Sequence, residues 1–250
     1  MKELLKLLMI ELQKIKRQKF IAFTIISACL VPIPLTAIIV RAKLSFNTLF
    51  MFVIEFGFFL VLPLILGIIM IILLHMESEN ETLKTLDVIP VSRIKLLAVK
   101  ILLSLVLAVF YSVAAVGSTI VGGLLEGSVT DVISKITTAL SFGILTALAT
   151  LPVVILAVVF YKNYILPVFF TAIYVIGSFI LSLTMSNIPS PLTLLFRYCL
   201  PIMTASPELL DAESKVSEWI IPFCPCFIIL LTIGIISILL SGTIYKKQEV

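Results

Sequence analysis

The chain has 250 residues, 61% of them hydrophobic and 13% charged, with a net charge of +4 and a mean hydropathy of +1.25. Soluble domains carry about 25% charged residues, and a chain of this length cannot bury so much apolar surface in a core of its own. A soluble globule is therefore excluded, and the small net charge leaves no electrostatic footprint for nucleic acid.

Lys2–Lys19 reads as an amphipathic helix lying in the membrane surface. Leu4, Leu8, Leu12 and Ile15 fall on one face, while Lys6, Gln13, Lys14 and Arg17 reach toward headgroups. The same charges serve as a topology signal. They run through Lys19 with no small-residue cleavage site after them, which argues against a removable signal peptide. The domain division that follows is an interfacial helix over 1–19, a transmembrane domain over 20–245 and a tail over 246–250.

Six stretches are long enough to cross a bilayer: Phe20–Val40, Leu49–Leu74, Leu96–Val121, Ile136–Phe160, Ile165–Met185 and Trp219–Tyr245. The predicted fold class is an all-α polytopic membrane protein. Pro32 and Pro34, Pro63 and Pro152 should kink the first, second and fourth spans. The short Arg41–Thr48 link makes the first two spans antiparallel neighbours. Glu55 falls about two turns inside the second span. A membrane carboxylate rarely faces lipid, so it lines a path, pairs with Arg41 or Lys43, or snorkels to the interface. Gly117, Gly122, Gly123 and Gly127 at the end of the third span suit close packing or a tight turn.

Between the second and third spans lies a charged island, Glu77–Lys100. Ser78 and Glu81 form a capping box, Leu83, Leu86 and Ile89 recur every three residues, and Pro90 ends the run. Ser92 can cap the next span. Over about 78–89 this pattern fits either a short amphipathic helix that can transmit force to a partner, or a solvated loop with helical tendency. The run from Glu77 through Thr82-Leu83-Lys84, Leu86 and Pro90-Val91-Ser92-Arg93, with Lys100 inside the next span, resembles the permease subunits of type-2 ABC exporters. Within that family it is similar to the bacterial permeases that export bacitracin and lantibiotics or give immunity to them. The resemblance implies that this segment is the coupling helix seated on a separate ATPase subunit, with Glu81, Leu83, Lys84, Leu86, Ile89 and Arg93 in the contact. It also implies that the helix at the N-terminus touches that subunit.

The segment Ser186–Glu218 mixes Leu192, Leu194, Leu195, Phe196, Leu200, Ile202 and Met203 with Pro189, Pro191, Pro201 and Pro207. Short helices dipping into the outer leaflet, or a loop resting on lipid, both fit; in the resembled family such helices roof the path between two permeases. Ser206 and Pro207 mark a second helix start. Cys29, Cys199, Cys224 and Cys226 lie in or near apolar stretches and read as small apolar packers.

Thirteen Lys and Arg fall on the side of the termini and the Glu77–Lys100 island, and five on the other. The richer side is cytoplasmic, which puts both termini inside, in a plasma membrane. The chain has no Gly-x-x-x-x-Gly-Lys-Ser/Thr run and a single histidine, His75, so neither a P-loop ATPase nor a His-ligated metalloprotease is expected of it. No metal site and no cofactor are expected in this chain; ATP and Mg belong to the partner. The expected function is the permease of an ABC exporter, pairing with a second copy or a sister chain and with two ATPase subunits. The cargo is a hydrophobic or amphipathic peptide or peptide antibiotic. The competing class is an immunity or scaffold protein that binds a toxin or partner without ATP. For the cargo path the expectation is an apolar cleft lined by the second and fifth spans, with Glu55, Phe56, Phe59, Phe169, Phe170 and Tyr174 as candidates.

Overall fold

The computed structural model describes residues 7–13, 19–79, 93–127, 129–160, 163–184, 188–203 and 219–247. They are helical apart from turns and short connections, with no strand among them. A short helix α1 covers 7–13, followed by α2 (Phe20–Leu30), α3 (Pro32–Ala42) and α4 (Phe46–Phe52). A π segment (Val53–Val61) joins α4 to α5 (Leu62–Glu79). The remainder are α6 (Arg93–Glu126), α7 (Val132–Ala149), α8 (Pro152–Val159), α9 (Ile165–Leu183), α10 (Pro191–Met203) and α11 (Phe223–Lys247).

Six spans result: Ala22–Ala42, Phe46–Met76, Ile94–Leu125, Val132–Val159, Ile165–Leu183 and Phe223–Tyr245. All six expected crossings are present, with ends displaced by a few residues. The bundle has two ends. One, the base, carries the 76–94 and 159–165 connections; the other, the crown, carries 42–46, 125–132 and 183–223.

Proline acts where it was expected to, by a common route. Pro32 has no N–H to offer, so the first span breaks at Val31 and restarts with Pro32 in the first turn of α3. Pro152 does the same to the fourth span. There the chain tightens, Val153 N–H bonding Thr150 O and Val154 N–H bonding Leu151 O, each at 3.0 Å. The Ala149 carbonyl, which Val153 would otherwise serve, instead accepts the Tyr174 hydroxyl at 2.8 Å. In the second span the irregularity is larger than a kink: Pro63 is the second residue of α5, directly after the nine-residue π segment.

The main core gathers on this second span. Phe58, Leu62 and Leu66 meet Leu103, Leu107 and Tyr111 of α6 and Phe142 and Leu145 of α7. At the crown the glycines of α6 divide by role. A Cβ on Gly122 would collide with Thr36, and one on Gly123 with the Phe46 ring, whereas Gly117 faces open space. Gly127 turns the chain at φ +101°, a conformation that favours glycine. The α1 helix lies against the bundle, with Leu12 packed on the main core and Glu11 only 3% exposed. Leu4, Lys6, Lys14, Ile15 and Arg17 lie outside the described residues.

Of the two readings for Ser186–Glu218, helix holds over Pro191–Met203. Pro191 opens α10, and Leu192, Leu195, Cys199 and Leu200 are buried in the main core. A stripe of apolar residues at helical spacing outweighed the prolines, because Pro191 sits in the first turn and Pro201 near the last. The Ser206–Pro207 helix start lies outside the described residues. All four cysteines are free; Cys199 and Cys226 are buried packers as expected, but Cys224 is exposed.

Candidate functional site

At the base, Glu81, Leu83, Lys84, Leu86 and Ile89 lie outside the described residues, and Arg93 opens α6. The scaffold holding both ends of that segment is described. Met70, Ile71 and Leu74 of α5 form a second core with Leu97 and Ile101 of α6, Val153, Val154 and Val158 around α8, and Tyr245 of α11. Lys100, 1% exposed, donates from Nζ to the Leu73 carbonyl and ties α6 to α5 across this core. The cation thus serves a backbone acceptor in a site where an unpaired charge would be costly. His75 meets Tyr164 in a tilted ring contact with centroids 5.1 Å apart, joining the second span to the start of the fifth at the same level. Two spans enter the 80–92 segment from one fixed platform.

Nearer the crown, Glu55 sits in the π segment and is partly exposed. It makes no hydrogen bond or ion pair among the described residues, so neither Arg41 nor Lys43 pairs with it. Both cations are themselves exposed. The other residues proposed from sequence for a cargo path are not brought to one wall. Phe59 is 2% exposed, locked in the core against Phe142 and, edge to face at 5.4 Å, Phe196. The Tyr174 hydroxyl is committed to Ala149. Phe169 and Phe170 are 61% and 40% exposed and pack on each other, and Phe170 also stacks on Phe160. Phe56 is exposed, and its ring lies 5.8 Å from Phe179 and 6.3 Å from Phe52. Phe179 is ten residues along α9 from Phe169, about 15 Å at helical rise. The aromatic contact between the second and fifth spans at the level of Glu55 is therefore Phe52–Phe56–Phe179. The sequence reading missed Phe179, which lies five residues beyond Tyr174 and so off the i+3 and i+4 rows that a count from Tyr174 follows.

Two further features were not anticipated. Lys135 had been counted only as a charge on the crown side. It is 8% exposed, donates to Asn47 Oδ1 at 2.7 Å and Thr130 O at 2.8 Å, and lies 4.4 Å from the Phe46 ring centre. Arg197 of α10 donates from Nε to Trp219 O at 2.9 Å and stacks over the Trp219 ring at 5.0 Å, joining the two ends of the 204–218 segment. Lys135 is thus satisfied by amide, backbone and ring together, and Arg197 by backbone and ring.

Six apolar spans, two of them tied together near the base by Lys100, describe a multi-pass helical membrane bundle. The family of proteins described as "ABC-2 family transporter protein" matches residues 7–178, more than two thirds of the chain. No curated protein matches it. The match covers the first four spans and most of the fifth, including the segment between the second and third. The chain belongs to the ABC-2 transporter family: it is a multi-pass membrane permease component of an ABC transporter, whose partner is an ABC ATPase subunit.

Proposed function

We propose that the chain is the permease of an exporter that clears hydrophobic or amphipathic cationic peptides, peptide antibiotics among them, from the membrane. Two permeases, copies or sister chains, work with two ATPase subunits. The base faces the cytoplasm, as the Lys and Arg distribution argues. The segment about 78–89 is the ATPase contact, with Glu81, Leu83, Lys84, Leu86, Ile89 and Arg93 its candidate residues. ATP and Mg act in the partner, and this chain converts closure of the ATPase dimer into motion of its spans.

One observation carries the cargo reading. Lys100 and Lys135 are buried and have acceptors, yet Glu55, inside the second span, has no hydrogen-bonding or ionic partner among the described residues. It precedes in the chain the exposed Phe56, whose ring lies 5.8 Å from that of Phe179. A carboxylate at membrane depth is costly and is retained for a task. A carboxylate next to aromatic faces suits a side chain that is cationic at its tip and apolar along its stem. Phe169 and Phe170, lower on α9, offer apolar contact nearer the base.

The test is Glu55→Gln in cells challenged with a cationic amphipathic peptide. Protection should fall by about tenfold, the effect of losing one charge-assisted contact, while expression and basal ATP hydrolysis by the complex stay at parental level. Parental protection at parental expression removes Glu55 from the path.

A further inference from the structure

The π segment is an unusual element in an unusual place. Such turns occur mostly as single-turn bulges at functional sites, yet this one runs for nine residues, Val53–Val61, through the most buried span of the bundle. Its Leu62 N–H bonds Gly57 O, one residue further back than an α-helix would reach. Two side chains from two different neighbours grip it at adjacent carbonyls. The Tyr111 hydroxyl of α6 donates to Gly57 O at 2.8 Å, and Thr146 Oγ1 of α7 approaches Phe58 O at 3.4 Å. Both are fully buried. Tyr111 also meets the Phe58 ring edge to face at 5.6 Å. Glycine at 57 leaves the hydroxyl its room, since a Cβ there would lie 3.3 Å from it.

We infer that Tyr111, seconded by Thr146, is a positioning residue that latches the second span in this wide-turn register and thereby sets where Glu55 and Phe56 stand. Without the latch the segment gains access to the tighter α register. One residue of difference turns the crown-side part of the span by about 100° relative to α5. That would carry Phe56 away from Phe179. The latch lies on the line from the base to Glu55, because α5 runs without interruption from the π segment to the 80–92 connection. A push on that connection therefore reaches the latch through one continuous helix. The importance of this for transport rests on the cargo reading of Glu55, whereas the latch itself can be tested without cargo or ATP.

The experiment is thiol cross-linking in the full-length permease, its four native cysteines replaced by alanine, with paired cysteines at two levels of the same two spans. One pair replaces Phe56, in the crown-side half of the π segment, and Phe179; the other replaces His75 and Tyr164, below that segment. Tyr111→Phe keeps the ring and removes only the hydroxyl. It should lower cross-linking of the upper pair by about fivefold, the population shift that loss of one ordinary hydrogen bond gives, and leave the lower pair unchanged. Thr146→Val should act in the same direction and less. An unchanged upper pair, or an equal fall in both pairs, overturns the latch. Hydrogen exchange on the protein with its native cysteines gives a second reading. The amides of 57–62 should exchange faster in Tyr111→Phe by a similar factor; no change, or an increase spread over all spans, contradicts it. If the latch holds but Glu55→Gln leaves protection intact, only the cargo reading fails.

Discussion

The second, third and fourth spans differ from the first, fifth and sixth in what surrounds them. In the most apolar stretch of the second span 72% of residues are buried by the protein itself, against 22% in the sixth. The third and fourth stand at 61% and 67%, the first and fifth at 33% and 28%. The inner trio is a packed core. The outer trio shows Ile26, Ile33, Phe169, Ile180, Ile236 and Leu239 outward, which lipid accepts as readily as protein does. The difference teaches where force can be applied. The 80–92 connection joins the second and third spans, so a partner pushing there moves the core; the 159–165 connection joins the fourth span to a peripheral one.

Matched truncations break or sharpen this contrast most directly. Phe142 is fully buried and touches Phe59 and Tyr198. Phe142→Ala should cost about 3–5 kcal/mol in thermal unfolding of the purified protein. Leu239, 63% exposed on the sixth span, should cost under about 0.5 kcal/mol on the same change. Equal losses would erase the distinction between core and periphery.

Within one helix the contrast can be drawn more finely. Gly123→Leu drives a side chain into the Phe46 ring and should destabilise by about 1–3 kcal/mol. Gly117→Leu, six residues away in open space, should leave unfolding unchanged in the same assay. The crown's buried cation comes next. Lys135→Met strands Asn47 Oδ1 and the Thr130 carbonyl, at about 1–2 kcal/mol, and should loosen the 127–131 turn first, seen as local hydrogen exchange. The smallest effect belongs to the clasp outside the spans. Arg197→Lys keeps the charge but loses the flat stack on Trp219, about 0.5–1 kcal/mol; limited proteolysis between 204 and 218 should speed up while the melting temperature barely moves.

The spans were legible because length and hydropathy state the membrane's requirement directly, and prolines 32 and 152 mark breaks by the missing N–H alone. The π segment was not legible. Nothing in Val53–Val61 distinguishes a π from an α turn, since the wide register is held by Tyr111 and Thr146, more than fifty and eighty residues away. A tyrosine in mid-span was the available signal, because a buried hydroxyl needs an acceptor; Tyr111 and Tyr174 both found carbonyls of irregular backbone. Glu55 was found because a carboxylate inside a span stands out in any reading. Its aromatic neighbour was half missed, since which faces of two helices meet is decided by packing. The same cause separates Phe59, which the core took, from Phe56, which it left outside.

The central claim is that the connection between the second and third spans carries the ATPase's work into the core. The direct measurement is ATP hydrolysis by the reconstituted complex, with and without a cationic amphipathic peptide, for the parent and for the double variant Leu83→Glu, Leu86→Glu. The account predicts that the double variant loses peptide stimulation or no longer retains the ATPase on purification. Parental stimulation together with parental co-purification would contradict it.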